Sequence, residues 1–391
     1  IINAAYRGIQ DLRTCIRYFK KTVVEAGNPW KIDTSKIVIW GQGTGGYITL
    51  GTNCLDNYIK IPTASNGKFL WDPPQVPGTD IYPMVIEQIN GNIYGTSLGL
   101  APNASGGLDT LCFPNHVGYS SDFALAVNMG GACADSAWVD PGQRPTISFH
   151  VPYEKYAPYD QGIVTVPTKP GDPILTVVEV QGSYNIGHLT TGFGNNNPFI
   201  GKPGYLDLAT EQAKAFANTP KANGQDWSAA TPGLYPFVRP LLDDNGVKIA
   251  DNTAPWEWSG VVPNNPTCNT NKVTALAYID TIVRFYAPRA CYVLGLQDCI
   301  NTLVAANEPI ADNVEVLTAP NPATEEVSFA TNSSNPMVSI EVYDMAGRIV
   351  LGVQKVNSTQ FVLHRGTLPR GTYIAKIRFE NGVLGKKIMF D

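Results

Sequence analysis

Between Asn3 and Ala26 the apolar residues Ala5, Ile9, Leu12, Ile16, Phe19 and Val23 recur at steps of three and four, which predicts a helix with one buried face. Asn3 suits its start, and Gly27 with Pro29 suits its end. A polar stretch, Ile32 to Lys36, leads into an apolar strand at Lys36 to Trp40, a glycine-rich turn, and a short helix over Tyr47 to Tyr58. Phe123 to Gly131 and Pro145 to His150 read as continuous buried strands. Ile163 to His188 reads as a strand ending in a turn, and Glu211 to Asn218 as a helix. A further strand belongs somewhere between Leu234 and Trp258, and Lys272 to Tyr286 reads as a closing amphipathic helix. Strands without alternation, interleaved with helices, predict an α/β fold around a parallel sheet.

The pattern changes near the end of the chain. From Val314 to Asp391 apolar and polar positions alternate, with Val338, Ile340 and Val342 on one face and Ile388 with Phe390 on another. Turns fall at Met345-Ala346-Gly347-Arg348 and Glu380-Asn381-Gly382. That is the pattern of a small all-β sandwich. The predicted organisation is an α/β domain over residues 1–306, a linker over 307–313 and the sandwich over 314–391. Residues Ile59 to Ser121, rich in Gly, Pro and Asn, lack clear periodicity.

Composition narrows the function. The chain has 391 residues, 43% hydrophobic and 16% charged, enough for more than one domain. A net charge of −5 with no basic run leaves nucleic acid no electrostatic footprint. No apolar run approaches the roughly 20 residues of a membrane-spanning helix. Seven cysteines, 37 Gly and 30 Pro suit an extracellular bacterial protein, in which Cys291 with Cys299 and Cys112 with Cys133 would be bridged. Buried free thiols are the alternative. The first residue is Ile1, with no signal core after it, which reads as a processed or truncated piece.

The glycine turn carries the candidate chemistry. Gly41-Gln42-Gly43-Thr44-Gly45 has the spacing of the nucleophile elbow G-x-S-x-G, set between strand and helix. Gly41, Gly43 and Gly46 also fit a dinucleotide loop, G-x-G-x-x-G. The residues before the turn favour the first reading. AAYRGIQDLRTCIRYFKKTVVEAGNPWKIDTSKIVIWGQGTGGY resembles the carboxylesterase branch of the α/β-hydrolases, with Gln10-Asp11, Arg17-Tyr18-Phe19 and Gly45-Gly46 matching that family's pattern. The resemblance implies a partial α/β-hydrolase sheet with flanking helices, whose earliest strands and oxyanion loop would precede Ile1. It places Gly43 where the nucleophile belongs and Glu154 where the acid belongs. It also implies that residues 59–121 form a lid, and that His150 ends a strand without serving as the base.

No histidine occurs from Leu189 to Leu363, where the base would be. Nucleophile and base are thus both missing, and Thr44 sits one residue past the apex. His116, His150, His188 and His364 show no metal-ligand spacing with the cysteines, so neither metal nor cofactor is implied. Trp256, Trp258, Tyr153, Tyr156 and Tyr159 are candidates for stacking on sugars or for packing.

The end of the chain carries a second resemblance. Pro320-Asn321-Pro322, VYDMAGRIV at Val342 to Val350 and LPRGTYIAKIRFENGVLGKKIMF at Leu368 to Phe390 resemble the C-terminal sorting domain of type IX secretion substrates of the Bacteroidota. Val314–Asp391 would then address the type IX secretion machinery, and the protein would be secreted or displayed on the cell surface. Two functions remain: a catalytically inactive esterase-like protein with a binding or assembly role, or an active carboxylesterase-type hydrolase with an unorthodox nucleophile. A central strand at Lys36–Trp40 would need partners on both edges, one being the severed N-terminal segment or a neighbouring subunit.

Overall fold

A computed structural model describes residues 1–71, 81–152, 156–166, 175–202, 208–217, 231–237, 254–258, 268–269, 271–300, 314–331, 336–345, 348–380 and 382–391. The chain divides into two compact units, Ile1–Asn301 and Thr302–Asp391. The predicted linker 307–313 lies outside the described residues.

The first unit begins with α1 (Ile2–Glu25), β1 (Val38–Gln42) and α2 (Thr44–Cys54). Short pieces follow: β2 (Leu70–Trp71), β3 (Tyr82–Pro83), α3 (Glu87–Asn90), β4 (Gly99–Pro102) and β5 (Leu108–Cys112). Then come β6 (Leu125–Met129), β7 (Thr146–His150), β8 (Gln161–Val166), β9 (Leu175–Gln181), α4 (Ser183–Gly192) and α5 (Leu208–Ala217). The unit closes with β10 (Leu234–Pro236), β11 (Ala254–Trp258), β12 (Cys268–Asn269) and α6 (Lys272–Val293). Its main sheet is parallel throughout, in the order β1-β6-β7-β10. β6 and β7 are buried at every position, as their unbroken apolar runs require. Among the described residues no strand pairs with the outer edge of β1.

Several expectations shift. Asn3 caps nothing, because α1 already runs from Ile2 and Ile1 is the residue before it. The elbow strand starts two residues later than read, since Lys36 is still turning: its N–H donates to Asp33 O at 3.0 Å and its ammonium pairs with the Asp33 carboxylate. Ile163 to His188 is an antiparallel β8–β9 hairpin followed by a helix, and the GSYNIGH turn is the first part of α4. α6 continues past Tyr286 and through Pro288 to Val293. Cys291 and Cys299 are bridged. Cys112 and Cys133 are not, because Cys112 stays partly exposed in β5 while Cys133 is fully buried elsewhere.

In the segment read as a lid, residues 90–95 are tied to α1. Gln10 donates to Asn90 O and Asn92 O at 2.9 and 2.7 Å, and Arg13 donates to Ile93 O, Thr52 O and Leu55 O. Arg17 reaches Tyr94 O, Gly95 O and Asn115 O. These side chains satisfy buried carbonyls that no regular ladder serves. Burial lowers the Arg13 guanidinium to about 10.

The second unit comprises β13 (Val316–Ala319), β14 (Glu326–Thr331), β15 (Met337–Tyr343), β16 (Ile349–Ser358), β17 (Gln360–His364), β18 (Gly371–Phe379) and β19 (Gly382–Phe390). Two antiparallel sheets, β13-β14-β17 and β16-β15-β18-β19, share one core around Phe329, Ile340, Val342, Ile377, Ile388 and Phe390. Val338 is not fully buried, whereas Met337 is: the β15–β16 register shifts between Met337 and Ser339, and the irregularity turns Met337 inward. Asn321 fastens the start of this unit to its last strand, donating to Lys387 O and accepting from Met389 N–H, both at 2.9 Å.

Candidate functional site

β1 delivers the chain into a turn with no room for a side chain at Gly41 or Gly46. Gly43 stands at φ 54° and ψ −117°, immediately before α2, and donates its N–H to Met129 O at 2.8 Å. That conformation is strained for a residue with a side chain. A Cβ on Gly41 would lie 2.0 Å from Gly45 O, and one on Gly46 would lie 2.4 Å from the Asn128 side-chain oxygen. α2 therefore packs its first turn directly on the backbones of β1 and of the loop after β6. A Cβ on Gly43 or Gly45 would meet open space.

Beneath this turn lies a buried polar network that the sequence reading did not foresee. Asn128 donates to Ser183 Oγ at 2.9 Å and to Ser148 Oγ at 3.3 Å, and its oxygen accepts from Gly131 N–H at 2.8 Å. His150 Nδ1 lies 2.7 Å from Ser183 Oγ, and Nε2 lies 3.0 Å from Ala157 O. A carbonyl only accepts, so Nε2 carries the proton and Ser183 donates its hydroxyl hydrogen to Nδ1. The imidazole is fully buried, and desolvation lowers it to about 4. Serine and histidine meet here without solvent access, which fits a structural clamp. One signal was present in the sequence: Asn128 is the single amide in the otherwise apolar run Phe123 to Gly131.

The sequence candidates separate. Gly41, Gly43, Thr44 and Gly45 do form the turn, and Thr44 opens α2 with its side chain exposed. Glu154 and Tyr153 lie outside the described residues. None of the four histidines bonds the turn. His150 is engaged as above, His188 packs on Tyr184, His116 lies beside Tyr18, and His364 faces Glu326 in the second unit. Tyr159 and Trp256 are buried, which removes them as exposed stacking platforms, whereas Trp258 and Tyr156 are exposed. No cluster of three or more potential metal ligands occurs among the described residues. No described helix is long and apolar enough to cross a membrane.

Beside the turn is an apolar cavity of about 220 Å³. Thr44, Tyr47 and Ile48 of α2 line one side, and Val164, Val178 and Val180 of the β8–β9 hairpin another. Polar groups contribute little to its wall, so it suits an apolar group better than water.

Residues 319–391 match the family described as the secretion system C-terminal sorting domain. No curated protein matches the chain. Among solved structures, the X-ray structure of the endo-beta-1,4-mannanase from Thermotoga petrophila is similar over 27% of this chain and 24% of that chain, at 12% identity and a TM-score of 0.16. The chain thus spans about a quarter of that enzyme's length, and a likeness of this size carries no argument. The sorting domain marks the protein as secreted or displayed at the cell surface, and its partner there is the type IX secretion machinery.

Proposed function

We propose that the first unit is a carboxylesterase-like α/β-hydrolase scaffold that has lost hydrolysis and serves binding or assembly outside the cell. The observation that carries this reading is Gly43. The strand-turn-helix keeps a sharp, positive-φ apex at the nucleophile position, yet that apex has no side chain. None of the four histidines hydrogen-bonds a neighbour such as Thr44, so the hydroxyl there remains a weak nucleophile. The apolar cavity beside Thr44 and Tyr47 supports binding of an apolar group, and the edge of β1, which pairs with no strand among the described residues, supports docking of a further strand, from the same precursor or from a neighbouring subunit.

The test is incubation of the intact protein with a fluorophosphonate probe and with p-nitrophenyl acetate. No labelling and no turnover are expected from the protein or from Gly43→Ser, since the substitution restores a hydroxyl without a base. Stoichiometric labelling of the unaltered protein would establish the opposite reading, a hydrolase with an unorthodox nucleophile.

A further inference from the structure

The apolar cavity beside the glycine turn has a length as well as a volume. Its wall includes Thr44, the first residue of α2, and Leu55, the residue just past the end of that helix. At about 1.5 Å per residue, the eleven residues of α2 set these two about 16 Å apart. The two ends differ. Thr44 is exposed, whereas Leu55, Ile61, Phe69 and Trp138 are each 5% exposed or less and lie together, with the Trp138 indole N–H donating to Lys60 O at 2.7 Å and its ring against Phe69. α1 runs beside α2 in the same direction, because Gly8 faces Ile48 and Ile9 faces Gly51, so Ile2 lines the open end and Ile9 a deeper point. Val164, Val178 and Val180 of the β8–β9 hairpin close a further side. The cavity is a blind channel that opens at the glycine turn. Spread over that length, about 220 Å³ admits one slender group and not two side by side.

We propose that this channel takes one straight aliphatic chain, that of a free fatty acid, tail first, with the carboxylate left in solvent at Thr44. The proposal rests on the reading of the first unit as a binding scaffold and names what it binds. The wall decides tail over head: with so few polar groups along it, a carboxylate drawn inside would lose its hydration without replacement. The length decides chain over ring. A compact aromatic molecule would fill part of the channel and forfeit contacts along the rest. With carbon–carbon bonds of about 1.5 Å, an extended chain advances about 1.3 Å per carbon, so about a dozen carbons span the channel. A bore for one chain also excludes the paired tails of a membrane phospholipid.

The experiment titrates the full chain by calorimetry with straight-chain fatty acids from hexanoate to octadecanoate, each below its micellar concentration. A buried methylene contributes about 0.8 kcal/mol, so affinity should rise roughly fourfold per carbon to about dodecanoate and then level off. Ile48 lies about one helical turn inside the mouth, and Ile48→Trp should shift that plateau to a chain several carbons shorter. Val164→Phe narrows the channel from the hairpin and should weaken every chain length, which serves if the first variant does not fold. Affinity that climbs through octadecanoate without a plateau is adsorption on an exposed surface and overturns the proposal. So does a plateau that both variants leave in place, or binding to phosphatidylcholine vesicles in preference to the free acids. Binding of naphthalene with no binding of any fatty acid overturns the proposal and leaves the binding scaffold standing, whereas no binding of either overturns the proposal and removes the cavity from that reading too.

Discussion

All seven cysteines and all seven tryptophans fall before Thr302, and the sorting unit has neither. Among the described residues the first unit buries twenty polar or charged side chains and the second buries one, Ser339. The first unit holds its chain by polar side chains reaching backbone carbonyls, as Arg13 and Arg17 do, and by backbone packed on backbone at Gly41 and Gly46. The second holds its chain with an apolar core between two sheets. The contrast separates two ways of specifying a fold. One depends on single contacts between residues far apart in sequence, and the other on a repeating pattern that tolerates variation.

The largest effect expected from this contrast is at Gly41. Gly41→Ala sets a methyl against the Gly45 carbonyl with no flexible neighbour to yield, and a loss of about 3 kcal/mol or more, or failure to fold, is expected. Urea titration followed by tryptophan fluorescence reads this unit alone, because the other has no tryptophan. In the sorting unit, Phe329→Ala should cost about 3–5 kcal/mol by leaving a cavity, measured by calorimetry of the full chain. A sorting unit that still folds with the Phe329 cavity, beside a first unit that one methyl at Gly41 keeps from folding, is what the comparison demands, and the reverse outcome would break it.

Acid should distinguish the units next. Above pH 6.5 His150 is neutral whether the chain is folded or not. Below it the unfolded chain binds a proton that the folded one refuses until about pH 4, so stability falls as pH drops through that window and is flat beneath it. The loss amounts to about 3 kcal/mol. It should appear in the tryptophan-monitored transition and vanish in His150→Gln, while the sorting unit buries no histidine. The smallest effect is expected at Gly43→Ser. Open space receives the side chain, and only the positive φ opposes it, at about 1 kcal/mol in the same titration.

The same division governs how much was legible in the sequence. Alternation located the sandwich, and Ile340, Val342, Ile388 and Phe390 all point inward. The pattern misled only where the β15 register shifts, at Val338. In the first unit, unbroken apolar runs located β6 and β7, and the glycine spacing located the turn and its apex. The polar clamp of Asn128, Ser183 and His150 left only Asn128 as a signal, because its members come from three separate stretches and the types of the other two suit a surface equally well. The Cys112–Cys133 pairing failed for a related reason, and Cys133 is a buried free thiol. Sequence distance favoured Cys112, whereas folding lays the end of α2 against the loop after β6.

Asn321 and Ala323 clasp the last strand of the sorting unit: Asn321 holds both sides of Ile388, and Ala323 bridges to Phe390. The sandwich can therefore close only after β19 has left the ribosome. A transcript broken early, or a ribosome stalled within the first unit, yields a chain whose address is unwritten. Placing the mark in this clasped form makes synthesis through β19 a condition of departure.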